Sequence, residues 1–588
     1  MTPGTTQLDP ITYEVIRNGL LAGAAEMKVL VMRSSYATLW REAGDLSCAI
    51  MNDRAEMIVQ GPADIPAQLG PLPFSMQGIL KKLDPATFVE GDVLFQNDPL
   101  WGNNHLPDCV MAKPVFVDGG IIAYSVVRGH WTDIGGITPG SYTSVTTDHL
   151  QEGITIPPVR LYKAGTMDRE IVDLILANVR NRQDRLGDLR AQYAGCIVGE
   201  RKVLALVKRY GAGTVRAACD QILEHSEALI RREIEKIPDG TYHATGWGDG
   251  DGVDDRPVRF QVALTVKGSD ITVDFTGSSA QARGGINAPL AVTTSACIYA
   301  MKCATDPWNP VNSGTYRPVK VIAPQGSIAN PHLPCPVIVA NHETTGMMAA
   351  TIFAALDQAN PDAPQRTIAA GSDSATLIVL GGKDPRPWRA GRSYICIDLQ
   401  GMCWGARHDR DGIQGLRSGL GNSANNPIEV VEAEYPVRIE YNAFEPDAGG
   451  PGKSRGGVPM AKAYRLLGDV LLTVVGERNR FPAYGLRGGK EGKPARFIVN
   501  PGTEAERRLF SKTVPLPLKA GDLIWCIPGG GGGFGGPLDR DPERVREDVL
   551  EGYVSVEGAA RDYGVVLDPE TLAVDREATS RLRAERRT

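Results

Sequence analysis

Apolar residues recur at helical spacing soon after the start of the chain. Asp9 followed by Pro10 is typical of a helix N-cap and its first turn. The sequence therefore predicts a first helix that ends near Arg33. Its apolar positions are Val15, Ile16, Leu20 and Met27.

From there to about Val159 the pattern changes to short β-type runs separated by loops rich in Gly, Asn, Asp and Pro. The runs occupy residues 48–51, 93–95, 110–116 and 121–127. This part of the chain is predicted to be a sheet that carries long loops.

Residues 169–234 have a different character, because Glu, Arg, Leu, Ala and Gln dominate and proline is absent. Gly211 and Gly213 divide the stretch, which predicts two long helices. The β pattern returns at residues 259–266 and 271–275, and residues 288–302 are predicted to form a mostly buried helix. Residues 303–345 are rich in proline and are predicted to be loop.

The last third of the chain mixes β-type runs at residues 437–441, 470–475 and 523–527 with glycine clusters. A helical tail is predicted from Pro542, with Asp541 as its cap and Gly552 just after its first helix. No repeat of fixed period is present, which disfavours a solenoid or a propeller.

These patterns together predict a multi-domain α+β protein, with mixed β-sheet regions, a long helical segment in the first half and a short helical C-terminal tail. A chain of 588 residues exceeds what one hydrophobic core usually supports. Five units are predicted: 1–165, an N-terminal region with the candidate metal site described below; 166–237, helical; 238–370, central α/β; 371–540, β-rich with glycine loops; and 541–588, the tail.

Composition excludes several function classes. The chain is 42% hydrophobic and 22% charged, with a formal charge of −6 and no basic stripe, so neither nucleic acid nor an anionic membrane is an expected partner. There is no secretory signal and no apolar run long enough to span a membrane. The ten cysteines include no Cys-x-x-Cys pair. A cytoplasmic location is expected.

Three of the eight histidines, His105, His130 and His149, lie within forty-five residues of one another. Two of them begin a His-x-x-Asp pattern that ends at Asp108 and at Asp133. Imidazole mixed with carboxylate suits zinc, manganese or ferrous iron in a catalytic type of site. Residues i and i+3 of a regular strand point to opposite faces, so both ligands converge only if the backbone turns near them.

Simpler interpretations exist for each of these residues. The His and Asp side chains could cap loops through hydrogen bonds to the backbone, and the residues alone leave both interpretations open. Asp45 could be a further carboxylate ligand or a base, or it could belong to a strand-entry turn.

The glycine-rich segments do not match a phosphate-binding loop. Residues 452–454 lack the required upstream glycine, because position 447 is Asp447, and residues 529–536 are predicted to be a flexible or tightly turning loop. Residues 249–255 resemble a calcium loop but are predicted to be a solvated hairpin loop. A Gly-x-Ser-x-Gly nucleophile motif is absent.

The same residues are part of an ordered set of motifs that resembles the hydantoinase B family. That family includes N-methylhydantoinase and 5-oxoprolinase components, caprolactamase, and the related acetone and acetophenone carboxylase subunits. The resemblance runs nearly end to end. The matching motifs include residues 9–18 (DPITYEVIRN), 44–49 (GDLSCA), 105–108 (HLPD), 129–136 (GHWTDIGG), 152–158 (EGITIPP) and 185–192 (RLGDLRAQ).

The resemblance implies a two-part enzyme. A hydantoinase A-type partner would bind ATP and phosphorylate a carbonyl oxygen, and this chain would hold a divalent metal, Zn, Mn or Fe. The family's metal-binding motif falls on His105, Asp108, His130 and Asp133. Asp45 and His149 are neighbours with expected catalytic roles.

The expected activity is ATP-dependent hydrolysis of a small cyclic amide, such as a hydantoin, 5-oxoproline or a larger lactam, by a cytoplasmic hetero-oligomer. The metal would lower the pKa of a water molecule that opens the activated ring. One alternative is a subunit of a ketone carboxylase of the acetone or acetophenone carboxylase type. Another is a non-catalytic scaffold for the A-type subunit.

Overall fold

The computed structural model describes residues 8–372, 376–417 and 419–587. An antiparallel sheet of seven strands forms its N-terminal part, in the order β2-β1-β5-β4-β3-β6-β7. The strands are β1 (Leu46–Asn52), β2 (Met57–Gln60), β3 (Val93–Gln96), β4 (Asp108–Val117), β5 (Gly120–His130), β6 (Val159–Lys163) and β7 (Thr166–Met167).

Strands β4 and β5 form a hairpin whose register matters for the site. Their two-residue connection, Asp118 and Gly119, has positive φ at both positions (50° and 78°), as a type I′ turn requires. From this turn the pairing extends to the far end of the hairpin, where Asp108 lies opposite His130.

Helices cover this sheet. They are α1 (Pro10–Ser34), α2 (Thr38–Arg41), α3 (Pro66–Leu69), α4 (Leu72–Lys82), α5 (Arg169–Ala177), α6 (Arg182–Tyr210) and α7 (Ala212–Ile234). Asp9 caps α1, accepting hydrogen bonds from the N–H groups of Ile11 and Thr12. The predicted first helix and the two long helices on either side of Gly211 are confirmed.

The central part contains a four-stranded sheet in the order β11-β10-β9-β8, in which only the pair β10 and β11 is parallel. The strands are β8 (Gly240–Gly248), β9 (Val258–Lys267), β10 (Asp270–Asp274) and β11 (Val319–Ile322). The helices are α8 (Leu290–Thr305), α9 (Ser313–Tyr316) and α10 (Glu343–Ala359). Helix α8 confirms the predicted buried helix, and α10 was not predicted.

The C-terminal part holds two sheets, β13-β12-β16-β19 and β14-β15-β20-β17-β18. The strands are β12 (Leu377–Lys383), β13 (Ser393–Leu399), β14 (Val437–Phe444), β15 (Met460–Leu466), β16 (Val470–Val475), β17 (Arg496–Val499), β18 (Arg507–Leu509), β19 (Leu516–Leu518) and β20 (Leu523–Ile527). The helices are α11 (Ile428–Glu434), α12 (Pro542–Leu550), α13 (Val556–Tyr563) and α14 (Arg576–Arg587).

Helices and separate, mostly antiparallel sheets confirm the predicted α+β class and the helical C-terminal tail. The largest hydrophobic core extends from Tyr13 to Val475 and takes side chains from the N-terminal, helical and central parts alike. The five unit boundaries therefore stay a prediction. Within the described residues, no helix combines the length and the hydropathy needed to cross a bilayer.

The glycine run at residues 529–536 is neither a flexible loop nor a tight turn. Residues 529–534 are buried and extended between other glycine-rich segments. A Cβ atom on Gly530 would lie 1.7 Å from the carbonyl oxygen of Ala448. The absence of side chains here allows backbones to pack directly against each other, so the prediction of a loose loop was wrong.

The acidic loop after β8 is likewise not solvated as predicted. Asp249 is buried and accepts hydrogen bonds from the backbone N–H groups of Asn479 and Arg480, both at 2.8 Å. Asp251 is buried and accepts from Arg283 and Gly284. These carboxylates attach the loop to two other parts of the chain, which the local sequence pattern does not reveal.

Candidate metal centre

Three neighbouring strands bring acidic and imidazole side chains to one end of the N-terminal sheet. His130 is the last residue of β5 and lies opposite Asp108, the first residue of β4. On the other side of β5, Leu46 of β1 pairs with Gly129, and the carbonyl oxygen of Asp45 accepts the N–H of His130 at 3.2 Å. Asp45, His130 and Asp108 therefore stand in a row across three strands.

His105 joins this row from the turn that precedes β4. The amide nitrogen of Asn103 lies 2.9 Å from the carbonyl oxygen of His105 and 2.8 Å from that of Asp108. The rings of His105 and His130 are 5.2 Å apart between centroids, and both residues are buried. The backbone turn that convergence requires is therefore present between His105 and Asp108.

The His105 ring has a defined tautomer. Its Nδ1 lies 2.6 Å from the carbonyl oxygen of Ile338, which can only accept, so Nδ1 carries the proton and Nε2 carries a lone pair. That Nε2 lies 3.2 Å from Oδ1 of Asp108. Within the described residues, neither atom has a hydrogen-bond partner, nor does Nδ1 of His130. Electron-rich atoms that face each other in a buried space are the arrangement a cation stabilises.

The electrostatics favour deprotonated ligands. Burial would raise the pKa of Asp108, but the adjacent imidazole of His105 holds it well below its usual range. Burial lowers the pKa of His130 to about 3. An ionised carboxylate beside neutral imidazoles is the protonation state that metal binding needs.

Asp45 is buried beside this group. Its Oδ1 accepts a hydrogen bond from the side-chain amide of Gln68 at 2.7 Å. Burial raises the pKa of Asp45 to about 6. The structure thus places Asp45 next to the candidate centre, where a ligand or a base would have to be.

Asp133 points away from the centre. Its two oxygens accept hydrogen bonds from the backbone N–H groups of Gly135, Gly140 and Arg180 and from the Arg180 guanidinium, at 2.8 to 3.0 Å. Because these donors already occupy the carboxylate, the geometry gives no support to Asp133 as a ligand. The second His-x-x-Asp pattern contributes only its histidine.

His149 also lies apart from the histidine cluster. Its side chain is 32% exposed, in a short 3-10 turn, with Nδ1 3.2 Å from Asp148. It lines a cavity of about 150 Å³ together with Leu106 and the buried Glu152. The structure therefore places His149 on the far side of the His105 turn, and its catalytic role stays a prediction.

A fourth histidine, His342, was missed by the sequence analysis. It is buried immediately before α10, and one ligand-capable atom from each of His105, His130 and His342 lies within 4.8 Å of the others. The ring of Tyr142 lies 5.8 Å from those of His130 and His342. The only local signal for His342 is the polar sequence Asn-His-Glu, which interrupts an otherwise apolar run.

Comparisons with known proteins agree with this site and fold. Residues 9–537 match the Hydantoinase B/oxoprolinase family. A putative D-/L-hydantoinase component of Pseudomonas sp. (strain NS671), named as the B member of its enzyme, is 32% identical, with 98% of each chain covered. The beta chain of the caprolactamase of Pseudomonas jessenii is 32% identical over 95% of this chain and 97% of that protein.

Two solved structures have the same fold. The crystal structure of the ATP-dependent caprolactamase from Pseudomonas jessenii has a TM-score of 0.89 at 29% identity, covering 98% of this chain and 100% of that one. A nucleotide-free acetone carboxylase structure has a TM-score of 0.91 at 20% identity, covering 98% and 83%, a likeness of fold alone. From the profile match and these relatives, the chain belongs to the Hydantoinase B/oxoprolinase family.

Proposed function

We propose that this chain is the metal-bearing subunit of an ATP-dependent hydrolase of small cyclic amides. The observation that carries the proposal is the convergence of buried, unpartnered nitrogen and oxygen atoms of His105, Asp108 and His130. The names of the relatives, a hydantoinase component and a caprolactamase component, support the choice of substrate class.

The donor set fits a divalent ion. Two neutral imidazoles and one carboxylate suit zinc, manganese or ferrous iron. When bound, such an ion supplies Lewis acidity, which polarises a carbonyl group or lowers the pKa of water. We assign His105, Asp108 and His130 as its ligands.

The surrounding residues would hold these ligands and handle protons. The amide of Asn104 donates to Oδ2 of Asp108 at 2.5 Å, which leaves Oδ1 directed towards His105. Contacts of this kind orient ligands and raise their affinity for the ion. Asp45 is the carboxylate that we propose as proton acceptor beside the row of ligands.

ATP would be bound by a second subunit of the hydantoinase A type. In the glycine run, the N–H groups of residues 530–535 all donate to carbonyl oxygens of this chain, such as those of Lys493, Gly457 and Ala370. A phosphate-binding loop needs such N–H groups free. Both relatives are named as one component of a larger enzyme, which supports a two-component assembly here.

The test is ADP release by the chain co-expressed with its A-type partner, measured with hydantoin, 5-oxoproline, ε-caprolactam and acetone, each with and without bicarbonate. We expect stimulation by a cyclic amide that does not depend on bicarbonate. Stimulation by acetone with consumption of bicarbonate would contradict hydrolysis and indicate a carboxylase. A purified wild-type complex without stoichiometric metal would contradict the metal-bearing role.

A further inference from the structure

His342 makes one contact that fixes the position of its proton. Nη2 of the buried Arg417 lies 2.8 Å from Nδ1 of His342. A guanidinium group has donors and no acceptor, so Nδ1 must be the accepting nitrogen. The remaining proton of the neutral ring is therefore on Nε2. Ser423 holds the other end of Arg417 by accepting a hydrogen bond from Nη1.

This tautomer is the opposite of the one found at His105. There Nδ1 donates to the carbonyl oxygen of Ile338, and the lone pair is on Nε2. Two rings of the same cluster, 5.8 Å apart between centroids, thus present different chemistry. His105 offers a lone pair, whereas His342 offers an N–H group.

A ligand role for His342 conflicts with its contact to Arg417. If Nε2 bound a cation, the ring proton would move to Nδ1 and would face the Nη2 donor at 2.8 Å. If Nδ1 bound the cation, its lone pair would no longer accept from Arg417. Either arrangement leaves a buried guanidinium without this acceptor, which is costly.

We infer that His342 is a neutral hydrogen-bond donor to the substrate and not a third metal ligand. Its Nε2–H would bind an oxygen of the phosphorylated cyclic amide beside the ion held by His105, Asp108 and His130. Arg417 is then a positioning residue that selects this tautomer. The inference rests on the proposed function for the identity of the acceptor, but the tautomer follows from the contact alone.

Metal content and turnover separate the two roles. We expect His342→Ala to keep the metal at the wild-type stoichiometry and to lower kcat of the complex by about 10²- to 10³-fold, as for the loss of one preorganised donor. His342→Gln retains an N–H donor and should recover part of kcat. The matched control, His105→Ala, should lose the metal.

Two outcomes would overturn the inference. One is loss of the metal in His342→Ala to the extent seen in His105→Ala, and the other is full kcat in a metal-replete His342→Ala. Thermal denaturation of each variant identifies a folding defect, and His342→Gln serves if His342→Ala does not fold.

Neutron crystallography of the perdeuterated wild-type chain tests the tautomer without any substitution. We expect deuterium on Nε2 of His342 and none on Nδ1, with the reverse at His105. Deuterium on Nδ1 of His342 would refute the assignment. In ¹⁵N-histidine NMR, Arg417→Met should shift the His342 signals towards the other tautomer and leave those of His105 unchanged. Absence of metal from the wild type would remove the proposed function, yet these measurements would still decide the tautomer.

Discussion

At the scale of single residues, the two aspartates of the His-x-x-Asp patterns differ in what already surrounds them. Asp108 receives the Asn104 amide on one oxygen and has no hydrogen-bond partner for the other. Asp133 receives backbone and guanidinium donors on both oxygens. The same four-residue spacing thus yields a free donor atom in one copy and a saturated turn in the other.

Asp108→Asn and Asp133→Asn should therefore give contrasting results. Asp108→Asn is expected to lose the metal, because it removes the carboxylate charge from the ligand set, and to keep most of its stability. Asp133→Asn is expected to keep the metal and to lose about 1.5 to 3 kcal/mol of stability, the range for hydrogen bonds to a charged group. Elemental analysis and chemical denaturation measure the two effects. Metal loss in a stable Asp133→Asn would restore Asp133 to the ligand set.

Glu152 supports the site from behind. Its Oε1 accepts the N–H groups of Val337 and Ile338, both at 2.9 Å, and the carbonyl oxygen of Ile338 in turn accepts the proton of His105. Burial raises the pKa of Glu152 to about 8. The carboxyl group is thus neutral at pH 7, like the amide of glutamine.

Substitution of Glu152 should affect metal affinity through this loop. Glu152→Gln keeps an accepting oxygen and is expected to bind metal like the wild type, whereas Glu152→Ala should weaken binding by about 10- to 100-fold, as for other groups that orient a ligand. Competition with a chelator measures both affinities. Equal affinity in the two variants would show that the loop does not orient His105.

At the scale of elements, helix α6 approaches its neighbours through glycines. A Cβ atom on Gly199 would lie 2.1 Å from Oγ of Ser125 in β5 and 2.6 Å from the sulfur of Met27 in α1. Gly213, in the first turn of α7, would meet nothing within 4 Å. Two helical glycines therefore have different reasons to be small.

Gly199→Ala should destabilise the protein by about 1 to 3 kcal/mol, because the added methyl group forces α6 away from the sheet. Gly213→Ala should be neutral or stabilise it by up to about 1 kcal/mol, because it lowers the entropy of the unfolded chain without a clash. Shifts in the denaturation midpoint measure both. A stable Gly199→Ala would mean that the sheet and helices can separate slightly without cost.

Several elements were predictable because their signals are local. Helix α1 has its cap and its apolar face within the helix itself, and the pair α6 and α7 has a glycine at its junction. Helix α10 is buried on nearly every side, so it lacks the 3.6-residue alternation that marks a half-exposed helix. The glycine run was misjudged because its packing depends on distant glycine segments.

The candidate centre was predictable to the same extent. His105, Asp108 and His130 lie on one hairpin and appear together in the sequence. His342 is more than two hundred residues away, and only the folded chain brings it to them. Asp133 was overestimated because residue spacing does not reveal that backbone N–H groups already occupy its carboxylate.

At the scale of the whole molecule, the C-terminal helices are fastened to the glycine-rich part by buried charges. Arg540 makes a two-point contact with Asp411, at 2.7 and 2.8 Å, and also contacts Asp548 of α12 at 2.7 Å. Arg455 reaches Asp548 at 3.2 Å and donates its N–H to Asp411. These pairs join residues more than a hundred positions apart.

The attachment of this tail should weaken in acid. Burial would raise the pKa of Asp411, but its contacts with Arg540 lower it below the ordinary carboxyl value of 3.8. For an acid whose pKa is lowered in the folded state, the stabilisation is complete above the ordinary value and is lost as the pH falls below it. Hydrogen exchange of residues 542–587 should therefore increase below about pH 4.

Asp411→Asn should produce faster exchange of the tail already at pH 7, because it leaves Arg540 without its two-point partner. Asp409→Asn is the matched control, since Asp409 is 40% exposed and its side chain contacts only the adjacent residues, Arg410 and His408. Slow tail exchange in Asp411→Asn would show that apolar contacts alone hold the tail.

The hairpin of β4 and β5 gives the candidate centre a dependence on phase. Asp108 and His130 are joined only through the pairing that starts at Asp118 and Gly119, ten residues away. Because side chains alternate between faces, inserting a single residue into either strand would turn one of the pair to the opposite face. Inserting residues into the turn itself would leave the pairing intact. The chemistry at one end of the sheet is thus sensitive to strand length in odd steps, and engineered changes of this hairpin belong in its turn.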